Sequence, residues 1–298
     1  MAGTTSSSIE QLYADIVADL IPYFMDAVLL PNQQIIRNSL SVAGSSGSQV
    51  RFPLTNTYAD GGDVAEGASI IAQPSNFVPT AANITFQKRG VGTDVSEEAL
   101  EDGGLDVVRN AVITRLSGGL AQASDKAGLA VAKAGFSTHT DTGEGSSNAS
   151  THNVNFVMSP DALAYASKRE PVVKMWYDPN LDLHQMRGSM RDGYVTLRAG
   201  FGQKMTANKT VGSATANVVA IAKGVANLRS ENAPAGLDGA YIGIISPAFE
   251  FAINQQIALA GGTTVGSLSD LGNNALRDAS IALVAGTRLF RSNNLPDA

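Results

Sequence analysis

The sequence predicts an α+β fold, and three of its features lead to this prediction. Apolar residues at three- and four-residue steps form one stripe over residues 105–134, which predicts a helix about 45 Å long, since each residue adds roughly 1.5 Å. Residues 49–54 and 84–92 have strand-like patterns, and residues 241–245 form a continuous apolar run typical of a buried strand. The long polar segment between the first two strands predicts a hairpin that extends away from the body.

The predicted long helix is preceded by residues that favour a helix start. Asp94 and Ser96 can accept hydrogen bonds from free backbone N–H groups, and Glu97 lies at the positive end of the helix dipole. In the middle of the stripe, Gly118 and Gly119 each destabilise a helix by roughly 1 kcal/mol relative to alanine. We therefore expect close packing or a bend at this glycine pair.

The predicted hairpin segment is rich in Gly, Asp, Asn and Pro. An isolated hairpin is marginally stable in water, so we expect it to lie on another surface. Its carboxylates Asp60, Asp63 and Glu66 could indicate a calcium site or a solvated turn. Their spacing departs from the EF-hand pattern, in which ligands fall at every second position, and this favours the turn.

An amphipathic helix is predicted near the N-terminus. Ser7 and Glu10 stand in capping-box relation, and Ile9, Leu12 and Ile16 belong to an apolar stripe. The stripe is explained either by docking onto the rest of the same chain or by docking onto a neighbouring chain.

The remaining pattern alternates short strands and helices. Ser159, Pro160 and Asp161 predict the start of a helix that runs to about residue 168. A second helix is predicted from about residue 218, and a third after Ser246 and Pro247, with strands at 281–291.

Composition excludes several classes of site. The chain has no cysteine, which excludes disulfides, iron–sulfur clusters and thiolate metal sites. Its three histidines are not spaced as a pair of metal ligands. Its net charge is −6 and its basic residues are scattered, so sequence-specific nucleic-acid recognition is not indicated. No signal-peptide pattern and no apolar run of membrane-spanning length is present, and we expect a soluble protein made in the cytosol. Only 16% of residues are charged, which fits a subunit covered by neighbours and also a secreted β-rich protein.

Searches for catalytic patterns give no candidate. The sequence has no phosphate-binding loop, no dinucleotide fingerprint, no nucleophile elbow and no zinc-protease pattern. Asp125 and Lys126 are interpreted as a surface or interface pair. Trp176 and Tyr177 could stack on a nucleic-acid base, but an aromatic pair without basic neighbours is more often part of a core, and this is the interpretation we favour. We therefore predict a protein that is not an enzyme, with no cofactor, no metal and no catalytic residue.

Taken together, these elements resemble the major capsid proteins of tailed phages, which have the Hong Kong 97-like fold. The resemblance covers most of the chain, and it is carried by six segments: Glu66-Gly67-Ala68, residues 84–89, residues 95–102, residues 123–126, residues 239–247 and residues 285–296.

The resemblance implies a domain organisation. Residues 1–48 would form an N-terminal arm and residues 49–93 an extended loop that lies over an adjacent subunit. Residues 94–210 would form a peripheral domain built on the long helix as its spine, and residues 211–298 an axial domain. Residues 155–203 resemble the segment that ordinarily closes the peripheral domain after the axial domain, so either the order is permuted here or one block is misassigned.

The resemblance also implies the function. The chain would be a structural subunit that assembles into hexamers and pentamers of an icosahedral head shell around the phage genome, and it would be found in the virion. Its partners would be itself, scaffolding, portal and decoration proteins, and packaged DNA through non-specific contacts, with no membrane. Candidate subunit-interface residues are Ile9, Leu12, Ile16, Arg51, Glu66, Lys88 and Arg89.

Two rival interpretations remain open at this point. An encapsulin-like compartment has the same fold but holds protein cargo in place of DNA. A filament or tail-tube subunit shares the cysteine-free composition rich in small residues. An unrecognised hydrolase is a more distant third.

Overall fold

The structure is a computed structural model that describes residues 34–44, 47–54, 66, 80–98, 105–136, 138–139, 151–179, 181–211, 218–236, 238–260 and 283–298. Within these ranges the chain forms helices and strands in the following order: β1 Asn38–Ser41, β2 Gln49–Leu54, β3 Thr80–Thr85, β4 Gln87–Ser96, α1 Leu105–Gly135, β5 Thr138–His139, β6 His152–Met158, β7 Leu163–Asp178, β8 Leu183–Thr196, β9 Gly202–Asn208, α2 Val218–Ser230, β10 Tyr241–Ile245, α3 Pro247–Ala260, β11 Leu283–Val284 and β12 Thr287–Arg291.

The first sheet has four strands in the order β1-β7-β8-β4, and α1 packs on one of its faces. Val112, Ile113 and Leu116 of α1 form an apolar cluster with Val173 and Met186 of the sheet. This burial explains why a long helix persists here, since tertiary packing of an apolar face stabilises a helix more than propensity does.

The glycine pair in α1 marks the predicted close approach of helix and sheet. A Cβ atom at Gly119 would lie 3.4 Å from Cγ2 of Val91 in β4, whereas one at Gly118 would meet nothing within 4 Å. The missing side chain at Gly119 therefore lets the helix lie close to β4, and the prediction of close packing is confirmed.

The prediction of a helix from Ser159 to about residue 168 is wrong, because this stretch leads into strand β7. Ser159 instead begins a turn, in which the N–H of Ala162 donates to its carbonyl oxygen (3.0 Å) and the N–H of Asp161 donates to its hydroxyl (3.3 Å). The strand that follows pairs with β1 on one side and with β8 on the other. Pairing on both edges overrides the local helix preference, since sheet formation depends on tertiary context.

The second sheet has six strands in the order β11-β12-β10-β6-β9-β5, and α2 and α3 contribute to its core. The C-terminal part of α1 reaches the same core through Leu129, Ala132 and Phe136. One helix thus connects the cores of both sheets. The sheet combines strands from both sides of the division predicted between residues 210 and 211, and that division stays a prediction.

A separate two-stranded ribbon is formed by β2 and β3, which pair antiparallel from Gln49 with Thr85 to Leu54 with Thr80. The ribbon packs over one end of the four-stranded sheet, where Ile84 and Phe86 form a cluster with Ala164 and Ala166. Its pairing confirms the predicted hairpin at its base. Residues 55–79, with the exception of Glu66, and the predicted N-terminal helix lie outside the described residues.

Candidate subunit-interface surfaces

The predicted interface residues fall into different environments. Arg51 is exposed on the ribbon, where its Nε donates to Oδ1 of Asn83 on the paired strand (3.4 Å). Glu66 and Lys88 are also exposed. The other predicted interface residues of the N-terminal stripe, Ile9, Leu12 and Ile16, lie outside the described residues.

Arg89 takes part in a buried network within the chain. Its Nε lies 2.6 Å from Oδ1 of Asp192, a carboxylate with 0% side-chain exposure, while the Arg89 side chain is 16% exposed. The hydroxyl of Ser124 on α1 donates to the other oxygen of Asp192 (2.6 Å), which leaves the Tyr194 hydroxyl to donate to Ser124 (2.7 Å). The network thus joins β4, β8 and α1, and the interface role of Arg89 stays a prediction.

Burial and the charge of Asp192 raise the pKa of the two tyrosines at this network. Desolvation, followed by the charge of Asp192, raises the pKa of Tyr165 to about 12 and that of Tyr194 well above its ordinary value. Both phenols therefore stay protonated across the physiological range. Because the Tyr194 hydroxyl keeps its proton, it remains a donor to Ser124.

A second cluster holds the far end of the β7–β8 hairpin to the start of the helical region. Nε2 of His184 lies 2.5 Å from Oε2 of Glu97, and the N–H of Glu97 donates to the carbonyl oxygen of Asp182 (3.3 Å). The Tyr177 ring lies 5.0 Å from the His184 ring, and its hydroxyl donates to Asp182, which raises the pKa of Tyr177. These contacts fix the turn between β7 and β8 against Glu97.

The described N-terminal residues are bound between the two sheets. Ile35 and Ile36 are fully buried in the larger core. Nη1 of Arg37 lies 2.7 Å from Oδ2 of Asp161, and its Nη2 donates to the carbonyl oxygen of Ala235 (3.2 Å). The described part of the predicted N-terminal arm is therefore anchored to the body at this point.

Folding gathers basic residues on the sheet face opposite α1. Val91 contacts α1, and side chains alternate along a strand, so Lys88, Gly90, Gly92 and Asp94 of β4 lie on the opposite face. An open cleft of about 840 Å³ lies there, and we call it the basic cleft after its four cationic lining residues, Lys88, Arg169, Lys174 and Arg187.

The basic cleft was not predicted, because its cations come from three strands that are distant in the sequence. The signal that could have found it is the alternation of Lys174 with Val173 and Met175 in β7, and of Arg187 with Met186 in β8, whereas Lys88 and Arg89 are consecutive in β4. Trp176 lines the same cleft with 45% exposure, so its interpretation as a core residue is wrong, as it is for Tyr177 with 46%. Asp125, expected at the surface, is buried with 2% exposure, whereas Lys126 is exposed.

The part of the chain that the structure describes contains no group of three or more acidic, histidine or cysteine side chains able to hold a metal ion. Within the same part, no helix is both long and apolar enough to cross a membrane.

No protein-family model and no curated protein sequence matches the chain. Solved structures do: the capsid of bacteriophage JBD30 matches with a TM-score of 0.54 and 12% identity over 88% of this chain and 89% of that one. The procapsid of the same phage matches with a TM-score of 0.53 and 13% identity over 96% and 99%. Its capsid decorated with minor capsid protein trimers matches with a TM-score of 0.53 and 11% identity over 90% of each chain.

These matches run over almost the whole length of both chains, and at this level of identity they establish the fold. The predicted α+β class and the Hong Kong 97-like capsid fold are confirmed.

Proposed function

We propose that this chain, which has the fold of tailed-phage capsid proteins, is a major capsid protein that assembles into an icosahedral head shell around a phage genome. The observation that carries the proposal is the match to the JBD30 procapsid over 96% of this chain and 99% of that one. A likeness of that extent leaves little of either chain outside the common fold. The protein is accordingly a structural component of the virion and not an enzyme.

The described elements support specific roles within a shell. The helix α1 connects both cores and serves as the spine of a peripheral domain that spans residues 94–210, with residues 211–298 as the axial domain. The ribbon β2–β3 carries residues 55–79 as an extended loop over an adjacent subunit. Residues 1–48 serve as the N-terminal arm, which the Arg37 and Ile35 contacts fix at its base.

The partners follow from this role. The subunit contacts copies of itself in hexamers and pentamers, and scaffolding, portal and decoration proteins act on the same shell. Synthesis takes place in the host cytoplasm. Contacts with packaged DNA are non-specific. Reading a base sequence requires base contacts from an element that fits a groove, and the sequence indicates no such recognition element.

Electron microscopy of the purified protein tests the proposal. Closed particles, or rings of five and six subunits, are expected, with or without a co-expressed scaffolding protein. Open tubes would indicate a filament subunit, and closed particles that hold protein cargo and never nucleic acid would indicate a compartment. A monodisperse monomer at high concentration under all salt and scaffold conditions would contradict the proposal.

A further inference from the structure

The basic cleft has a charge opposite to that of the whole chain. The chain has a net charge of −6, whereas the described residues that line the cleft include four cations and one carboxylate, Asp94, which is bound by Arg187. A surface that concentrates one sign of charge attracts partners of the other sign. We propose that the basic cleft binds the acidic run of Asp60, Asp63 and Glu66 from a second copy of the chain.

Two of the four cations are held in place by neighbours. Nη1 of Arg187 lies 2.6 Å from Oδ1 of Asp94, and its guanidinium carbon lies 5.8 Å from the centre of the Trp176 ring. Nη2 of Arg169 donates to the hydroxyl of Ser189 (2.9 Å). A guanidinium that is already oriented loses less conformational freedom when a carboxylate binds it.

The other two cations are available for a partner. Lys88 and Lys174 are exposed, and neither makes a hydrogen bond or ion pair with another residue that the structure describes. Between them, Gly90 and Gly92 present no side chain at the surface, although Arg187 lies across Gly92. At Gly90 a Cβ atom would meet only the carbonyl oxygen of Gly188 at 3.6 Å, so another backbone can approach closely there, whereas Arg187 fills the space at Gly92.

The acidic run has the charge and the length that this surface requires. From Phe52 to Gln87 the sequence contains the three carboxylates of the run and no lysine or arginine. When extended, the six residue steps from Asp60 to Glu66 span at most about 20 Å. Lys88 of β4 and Lys174 of β7 are separated by two strand spacings, and their partners on β8, Arg191 and Arg187, are four residues apart. Together these separations place the two lysine Cα atoms roughly 16 Å apart. The run can therefore reach both lysines.

The position of the ribbon favours binding between copies. Ile84 of the ribbon packs with Ala164, Ala166 and Val195, at the end of the sheet beyond the pairing of Gln87 with Asp192, whereas the cleft lies on the other side of that pairing. The described ribbon therefore lies beyond the end of the sheet segment that lines the cleft of the same chain. In a closed assembly a neighbour's run is presented at high effective concentration, so individually weak ion pairs add up. In this respect the inference rests on the proposed function.

Charge reversal at the two available lysines tests the inference in the full-length protein. The variant K88E/K174E is compared with the wild type and with K223E/R229E, which makes the same change in charge at two exposed basic residues on α2. A synthetic peptide of residues 57–69 is the binding probe, with fluorescence anisotropy as the measurement at low salt. We expect K88E/K174E to weaken peptide binding at least about tenfold and the control to change it less than about twofold.

Assembly provides the second readout. We expect K88E/K174E to form few particles and the control to form them normally, with secondary structure unchanged in both by circular dichroism. Adding D60K and E66K to K88E/K174E restores opposite charges across the contact and should restore particles, whereas D60K/E66K alone should not form them.

Several outcomes would overturn the inference. These are particles of K88E/K174E that match the wild type in number, no peptide binding by the wild type at low salt, or no rescue in the swapped variant. Tight retention of duplex DNA by the wild type that is lost in K88E/K174E would show a nucleic-acid surface in place of a subunit contact. If the wild type itself never assembles, the proposed function fails. The peptide measurement then still shows whether the basic cleft binds the acidic run.

Discussion

Ser124 of α1 and Asp192 of β8 are joined by a hydrogen bond of 2.6 Å at a point where both residues are 0% exposed. A buried carboxylate is stable only when its oxygens are satisfied, and here Arg89 occupies the second oxygen. The contact therefore fixes both the position of the long helix on the sheet and the start of β4. The network is a structural device that joins α1 to the sheet.

Loss of this contact should destabilise the protein. Ser124→Ala is expected to lower the free energy of unfolding by about 1–3 kcal/mol, because Asp192 then keeps an unsatisfied buried oxygen. Asp192→Ala should cost more, about 3–5 kcal/mol, since it removes one partner of a buried ion pair. Urea denaturation is the measurement, with the exposed Lys126→Ala on the same helix as a control that stays within about 0.5 kcal/mol. A Ser124→Ala protein as stable as the control would contradict the role of the network.

Alkaline pH should destabilise the protein through Tyr165. Its pKa rises from 10.0 in the unfolded chain to about 12 in the fold. At a pH between these two values, Tyr165 is therefore deprotonated in the unfolded chain and still protonated in the folded protein. Stability is unaffected by this group below pH 10 and falls as the pH rises above it, by a total of about 2–3 kcal/mol. Chemical denaturation at several pH values should show a shallower decline in Tyr165→Phe than in the wild type. Equal slopes for the two proteins would be the contrary result.

Gly193 should tolerate no side chain, because the ribbon lies directly on it. A Cβ atom there would lie 2.4 Å from Cγ2 of Ile84 and 2.8 Å from the carbonyl oxygen of Thr85. Gly193→Ala is expected to displace β3 and to destabilise the protein by about 1–3 kcal/mol. Hydrogen exchange should show faster exchange of the β2 and β3 amides. Unchanged protection of these amides would show that the ribbon does not depend on this contact.

Gly118→Ala should have the opposite effect. This position in α1 has open space for a Cβ atom, so the substitution gains helix propensity without a clash. We expect the free energy of unfolding to rise by about 0.5–1 kcal/mol. Thermal unfolding is a sufficient measurement, and a loss of stability would indicate that the helix needs flexibility at this pair.

Replacement of residues 55–79 by a two-residue Asn-Gly turn should separate folding from assembly. Leu54 and Thr80 are directly paired, so a short turn can close the ribbon. The shortened chain should fold, with the wild-type circular dichroism spectrum, and form no particles. If it formed normal shells, residues 55–79 would not be the extended loop that holds adjacent subunits.

The sequence predicted those elements whose pattern is determined locally. The long stripe of α1, the strand of 49–54 and the apolar run of 241–245 match observed elements within a residue. The helix predicted from Ser159 failed because β7 is stabilised by partners on both edges, which no local pattern contains. The basic cleft was out of reach for the same reason, since strand pairing alone brings Lys88 and Lys174 to one face. Arg89 was predicted as an interface residue through the family resemblance, and its buried partner Asp192 lies 103 residues away.

The single residue Phe86 separates β3 from β4, and this connection has a mechanical consequence. A pull on the loop carried by the ribbon passes along β3 into β4, whose ten residues pair antiparallel with β8. Force directed along a strand loads all the hydrogen bonds of that ladder together, whereas force across it would open them one by one. Near the loaded end, the pair of Arg89 and Asp192 ties the strand to the long helix. Tension between neighbouring subunits, as when internal pressure stretches a closed particle, would therefore be shared by the whole β4–β8 ladder when it acts along the strand.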